Sequence, residues 1–337
     1  MRAKIRAGVL LIFLLLVSLA IIPVSVKAYS GEKIHIVATL QIFATLAEKV
    51  GGEMVSVDYI VPQGMDIHSY SLKYEDVKKL EKGDLIILAS SEFFSLDNSI
   101  LQKFQNKEIL DFSDYNATIY SLDGIKRNLH GYWLYPKNAL NIARAIEKKL
   151  EKINPANSGY YKDNLINFEN ELNKAITTLN ALQRECNLQN STALLAVPGT
   201  YYIVKAMEIK IEGSILKGPN QFIGNEEIEE IKEKIKRGEI DFIVNAYGLE
   251  YSRAGQIARE ISAETGIRVV YVDIFSAENY TSLLLKDASI LSGASYVSIY
   301  GVSEENHLPY IIIITLLSAI IAVAFFEVYL CRRELLR

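Results

Sequence analysis

The hydropathy of this 337-residue chain divides into two apolar ends and a long patterned middle. Residues 1–28 place Arg2, Lys4 and Arg6 ahead of an apolar run at 9–24 and close on Val26-Lys27-Ala28. That is the layout of a signal peptide or, because the run is long, of an uncleaved anchor. At the other end, residues 308–326 carry no charge, and the apolar stretch continues to Leu330 with only Glu327 interrupting it. About 22 residues of helix reach about 33 Å, enough to cross the hydrocarbon core. The basic tail 331–337 that follows prefers the cytoplasmic side. A transmembrane helix at 309–330 is therefore expected, with the domain before it outside the cytoplasm.

Between the ends, apolar runs of strand length alternate with stretches of helical period. Residues 33–40 read as a strand. Residues 41–50 read as a helix with Phe43, Leu46, Ala47 and Val50 on one face, stopped by Gly51-Gly52. A strand at 55–61, a helix at 74–81 and the apolar run 84–89 follow, the last being of the kind buried in a parallel sheet. Residues 95–127 are less regular, with short strands expected at 108–112 and 118–122, and Pro136 opens a helix at 137–149. At 155–187 a long polar helix carries Tyr161, Leu165, Phe168, Leu172, Ile176 and Leu179 at three- and four-residue spacing. The alternation then resumes: strands at 193–197, 239–245 and 268–272, a strand edge at 214–218, and helices at 201–207, 225–236, 254–265 and 279–291. Asn225 is the expected cap of the second of these helices.

This pattern predicts an α/β fold of two (β/α) lobes with mostly parallel central sheets, joined by one long helix, plus the C-terminal transmembrane helix. The boundaries follow: an N-terminal lobe at 29–154, the connecting helix at 155–187, a C-terminal lobe at 188–292 and a stalk at 293–308.

Charge narrows the partners. The net charge is −4, and the two ends hold seven basic residues against two acidic ones, so the exported part is the more acidic. This argues against nucleic acid and suits a cationic ligand. Cys186 is the only cysteine outside the tail, so the domain closes no internal disulfide and relies on its core. There is no G-x-G-x-x-G, P-loop, G-x-S-x-G or H-E-x-x-H pattern, and no nucleophile at a strand-to-helix elbow beside a histidine. Three polar residues stand where ligands of open α/β sheets gather: His68 after a strand, His130 before a helix, and Asp273 at a strand's carboxyl end. Two imidazoles and a carboxylate suit Zn²⁺, Mn²⁺ or Fe²⁺. A bland alternative stands beside each: a hydrogen bond within its aromatic loop for His130, a helix cap for Asp273. His35, within a strand, and His307, beside the membrane, are set aside.

VPQGMDIHSYSLKYEDVKKL at 61–80, LHGYWLYPKNA at 129–139, Asn154-Pro155-Ala156-Asn157 with Tyr161 and Asn164, and ETGIRVVYVD at 264–273 together resemble the metal-binding solute-binding proteins of zinc and manganese ABC importers. The likeness runs over roughly residues 33–292. It implies a cleft between two lobes, no enzymatic activity, no catalytic cofactor, and Zn²⁺ or Mn²⁺ as the transported ligand. The implied ligands are His68, His130 and Asp273. The implied partners are an ABC permease and its ATPase. The chain is expected to be a monomer held at the cell membrane by its C-terminal helix, where the family commonly has a lipid-modified N-terminus. One departure stands out. Where the family carries a further histidine or glutamate, this chain has Pro198 or Gly199, and Asn245 replaces a common glutamate. Glu250, Tyr201 or a shifted loop is left to complete the set. The alternative is a surface-anchored accessory protein that kept the fold and lost metal transport.

Overall fold

The computed structural model describes residues 32–275 and 279–293. In the first lobe β1 (Ile34–Ala38) is followed by α1 (Gln41–Gly51), β2 (Val55–Tyr59), α2 (Tyr74–Lys82), β3 (Leu85–Ile87), α3 (Ser95–Lys103) and β4 (Glu108–Leu110). The strands pair in parallel in the order β2-β1-β3-β4. Parallel pairing requires the helical crossovers, and burial on both faces explains the unbroken apolar run of β3, whose Leu85, Ile86 and Ile87 are all fully buried.

Two helices, α4 (Pro136–Ile153) and α5 (Ser158–Glu185), carry the chain to the second lobe. There β5 (Thr192–Leu195), α6 (Tyr201–Ala206), β6 (Lys210–Ser214), the hairpin of β7 (Leu216–Gly218) and β8 (Gln221–Phe222), α7 (Asn225–Lys236), β9 (Phe242–Ala246), α8 (Arg253–Thr265), β10 (Val269–Val272) and α9 (Tyr280–Ser292) follow. This sheet is also parallel, in the order β10-β9-β5-β6. The expected architecture of two lobes with parallel sheets is present. The long helix α5 buries Tyr161, Phe168, Leu172, Ala175 and Leu179 and packs on α1 and α4 of one lobe and α9 of the other.

Four local expectations are corrected. Residues 95–103 form α3. No strand forms at 118–122, where only an isolated bridge between Leu122 and Ile125 remains. The Asn138 side chain takes both the N–H and the carbonyl of Thr118, at 2.7 and 2.9 Å, leaving neither for a ladder. The edge expected at 214–218 is split between β6 and the hairpin. At α7 the cap is Gly224, whose N–H donates to Glu227 Oε2 at 3.1 Å, and Asn225 is the first helical residue. Among the described residues no helix is long and apolar enough to cross a membrane. The expected leader at 1–28, transmembrane helix at 309–330 and tail at 331–337, with all but the first residue of the stalk, lie outside the described residues.

The lobes meet along a seam of direct contacts. Tyr202 Oη donates to the Asn128 carbonyl at 2.6 Å and accepts from Tyr120 N–H at 3.2 Å. Tyr280 Oη donates to the Trp133 carbonyl at 3.1 Å. Gly131 has φ 71°, and a Cβ built on it falls within van der Waals contact of the Gly199 carbonyl oxygen. Only glycine tolerates both conditions. Gly131→Ala is expected to lower folding stability by about 1–3 kcal/mol, read as a lower thermal midpoint by calorimetry. An unchanged midpoint would show that the seam opens freely.

Candidate metal centre

His68 stands at the carboxyl end of the first sheet. After β2 the chain stays beside the sheet through Ile60 N–H to the Ala38 carbonyl and Val61 N–H to the Thr39 carbonyl, both 3.0 Å. It then turns at Gly64, φ 77°, where Met65 N–H closes on the Pro62 carbonyl at 3.1 Å. Asp66 Oδ1 accepts the His68 N–H at 3.0 Å, so a local Asx turn sets the residue's position. The side chain is left exposed toward the cleft.

His130 is fixed from behind. Asn128 is fully buried and its Nδ2 donates across the seam to the Pro198 carbonyl at 3.0 Å. That bond orients the amide so that Oδ1 faces His130, accepting its backbone N–H and its ring Nδ1–H, each at 3.1 Å. An oxygen acceptor at Nδ1 places the proton there and leaves the Nε2 lone pair free. Burial, and then the neighbouring His68, hold the His130 imidazole down to about 4. The ring is neutral at pH 7, the state in which imidazole binds a metal.

The two rings come together at 5.4 Å between centroids. Phe93 stands edge-on to His130 at 4.7 Å, and Phe94 lies 5.1 Å from His68. Both phenylalanines sit on the loop after β3, which is ordered by Ser90 N–H donating to Asp97 Oδ2 at 2.7 Å. Aromatic rings against both imidazoles restrict their rotation. The rings line a cavity of about 150 Å³ at the seam, which also takes in Trp133, Pro198 and Gly199.

Asp273 is not brought to the histidines. It is 9% exposed and lies outside the cavity lining, although Ile274 and Phe275 after it are part of the wall. Its Oδ1 accepts the Phe275 N–H at 3.3 Å and its Oδ2 pairs with Lys286 Nζ at 3.3 Å. Its own N–H is held by buried Asp287 of α9 at 2.9 Å, which leaves it tying β10 to α9. Glu250 and Tyr201 do not line the cavity either. Asn245 spends its side chain on the turn beyond β9, its Nδ2 reaching the Leu249 carbonyl at 3.4 Å. Among the described residues no group of three or more His, Cys, Asp and Glu is placed to hold an ion. The residues missed by pattern reading are Asn128, Phe93 and Phe94. Phe93 and Phe94 follow the apolar run at 84–89 that marks β3 and adjoin the stretch read as irregular.

Two lobes with parallel sheets and a histidine pair at the seam between them are the frame of this site. A family model, that of ZnuA, the periplasmic component A of a zinc-uptake complex, matches residues 36–294, and the chain belongs to that family. The manganese ABC transporter substrate-binding lipoprotein PsaA of Streptococcus anginosus is 31% identical over 181 residues. That match spans 50% of this chain and 58% of the relative's length. A crystal structure of ZnuA superposes with a TM-score of 0.68 at 21% identity, covering 78% of this chain and 99% of the other. The Mn-bound periplasmic metal binding protein of Candidatus Liberibacter asiaticus gives 0.62 at 19%, covering 77% and 99%. At such identities the structures attest the fold.

The depressed His130 pKa carries a stability consequence. The unfolded chain protonates this imidazole near 6.5, the folded chain only near 4, so stability is lost as pH falls through that window. The loss is at most about 3 kcal/mol. Denaturant unfolding at pH 7 and pH 4.5 is expected to show a smaller drop for His130→Gln than for the natural chain. Equal drops would mean that His130 is readily protonated in place.

Proposed function

We propose that this chain is the extracytoplasmic capture subunit of an ABC importer, binding Zn²⁺ or Mn²⁺ between its lobes and delivering it to a permease driven by an ATPase. The observation that carries the reading is the paired His68 and His130, one neutral with its Nε2 free, at the mouth between two parallel sheets. Family membership and the names of the relatives support the cargo and the partners. On this reading the protein works as a monomer, the apolar segment 309–330 retains it at the membrane, and tail 331–337 lies in the cytoplasm. Asp273 stays with Lys286 and does not coordinate. The lack of a third protein ligand among the described residues favours one other reading, an accessory protein that kept the fold and lost transport.

Metal titration of the full-length chain in detergent separates the two. His68→Ala and His130→Ala are each expected to weaken Zn²⁺ or Mn²⁺ binding by about a hundredfold or more, and Asn128→Ala by about 10–100-fold through the loss of ring orientation. Asp273→Asn is expected to leave the affinity within about a factor of two, because its carboxylate is already engaged by Lys286. Natural-chain binding no tighter than that of the double histidine variant would sink the capture reading. Deletion from residue 308 onward is expected to move the protein from the membrane fraction to the soluble one.

A further inference from the structure

The polar side chains of the cavity beside the histidines all come from the first lobe. The second lobe supplies Val197, Pro198, Leu216, Leu249, Ile274 and Phe275, side chains that can neither coordinate an ion nor hydrogen-bond to water. The first lobe adds apolar wall of its own, with Ile42, Met65, Phe94 and Trp133, and its polar groups are the two imidazoles, Asp66, whose Oδ1 already accepts the His68 N–H, and the buried Gln41 Oε1 and Trp133 Nε1, which have no hydrogen-bond partner. The space is about 150 Å³, roughly ten times what one enclosed water needs.

Divalent transition ions take four to six ligands. With two imidazoles from the chain, a bare ion would have to fill its remaining positions with water. Waters directed at the second-lobe wall would find no side-chain acceptor there, and a buried polar group without a partner is costly. An apolar wall of this extent is instead suited to carbon. We propose that the site takes the divalent ion as a complex with a small, flat, apolar chelator. His68 and His130 complete the ion's coordination, and the chelator's carbon face packs on Leu216, Leu249, Ile274 and Phe275. One remaining metal-bound water, or one N–H or O–H of the chelator, supplies the donor that Gln41 Oε1 lacks. This deepens the capture reading and rests on it, since the same two imidazoles hold the ion in both.

The probe is the 1:1 complex of Zn²⁺ with 2,2′-bipyridine, titrated into the full-length chain in detergent. It is compared with Zn²⁺ alone, with bipyridine alone, and with the 1:1 Zn²⁺–iminodiacetate complex, whose chelator is polar. Burying the aromatic face predicts that Zn–bipyridine binds about tenfold or more tighter than Zn²⁺ alone or Zn–iminodiacetate. His130→Ala is expected to abolish that gain, and Gln41→Leu to weaken the complex severalfold. Zn²⁺ alone binding as tightly as Zn–bipyridine, or bipyridine stripping the ion from the protein, would overturn the chelate proposal and leave capture of a bare ion standing. Bipyridine binding equally well without metal would overturn it too. Failure of every zinc species to bind would overturn both.

Discussion

The centre depends on one buried amide. Asn128 donates to the Pro198 carbonyl across the seam, receives both N–H groups of His130, and gives its own carbonyl to Tyr202. A carboxylate there would face the Pro198 carbonyl without a proton, and an aliphatic side chain would release the imidazole. Joining the lobes and orienting the ring are therefore a single event. Movement of the second lobe would pull on the group that keeps Nε2 free. Coupling between cleft geometry and ligand readiness follows from that connection, as does the need for Gly131, the residue just after His130, to lie against Gly199.

The two walls of the cleft have divided the work. The first lobe holds the chemistry on short turns anchored to β2 and β3, with phenylalanine edges limiting the rings. The second lobe offers Pro198 and Gly199 where the resemblance implied a ligand, and its Asp273 is engaged by Lys286 and the Phe275 N–H. The long helix α5, packed on both lobes, gives this arrangement a rigid back. A site open on one side and apolar on the other differs from a closed cage of protein ligands in what it admits as well as in how tightly it holds.

Much of this was legible before any coordinates. Parallel strands between helices announce themselves as short apolar runs, so β1, β3, β5 and β9 are placed to within a few residues. The 28-residue α5 was visible in its spacing because one face meets apolar partners along its whole length. The pairing of His68 with His130 was legible only as likeness and position, since nothing local says that loops 62 residues apart end side by side. Asn128 carried no signal at all: an asparagine two residues before a histidine looks like loop composition until its cross-lobe partner is known. The ion pair of Asp273 was hidden for a related reason. A carboxylate at a strand end reads as available, and Lys286, on a helix 13 residues later, neutralises it in a way that spacing does not reveal. The strand at 118–122 failed because Asn138, in the next helix, occupies the very backbone groups a ladder would use.

The central claim, that two imidazoles of this chain hold the cargo ion, is tested most directly by zinc X-ray absorption spectroscopy on the loaded full-length protein. The account predicts the multiple-scattering signature of two imidazoles per zinc, with Zn–N near 2.0–2.1 Å, and its reduction to one when either His68 or His130 is replaced. A spectrum without imidazole scattering, or one unchanged by those replacements, would contradict it.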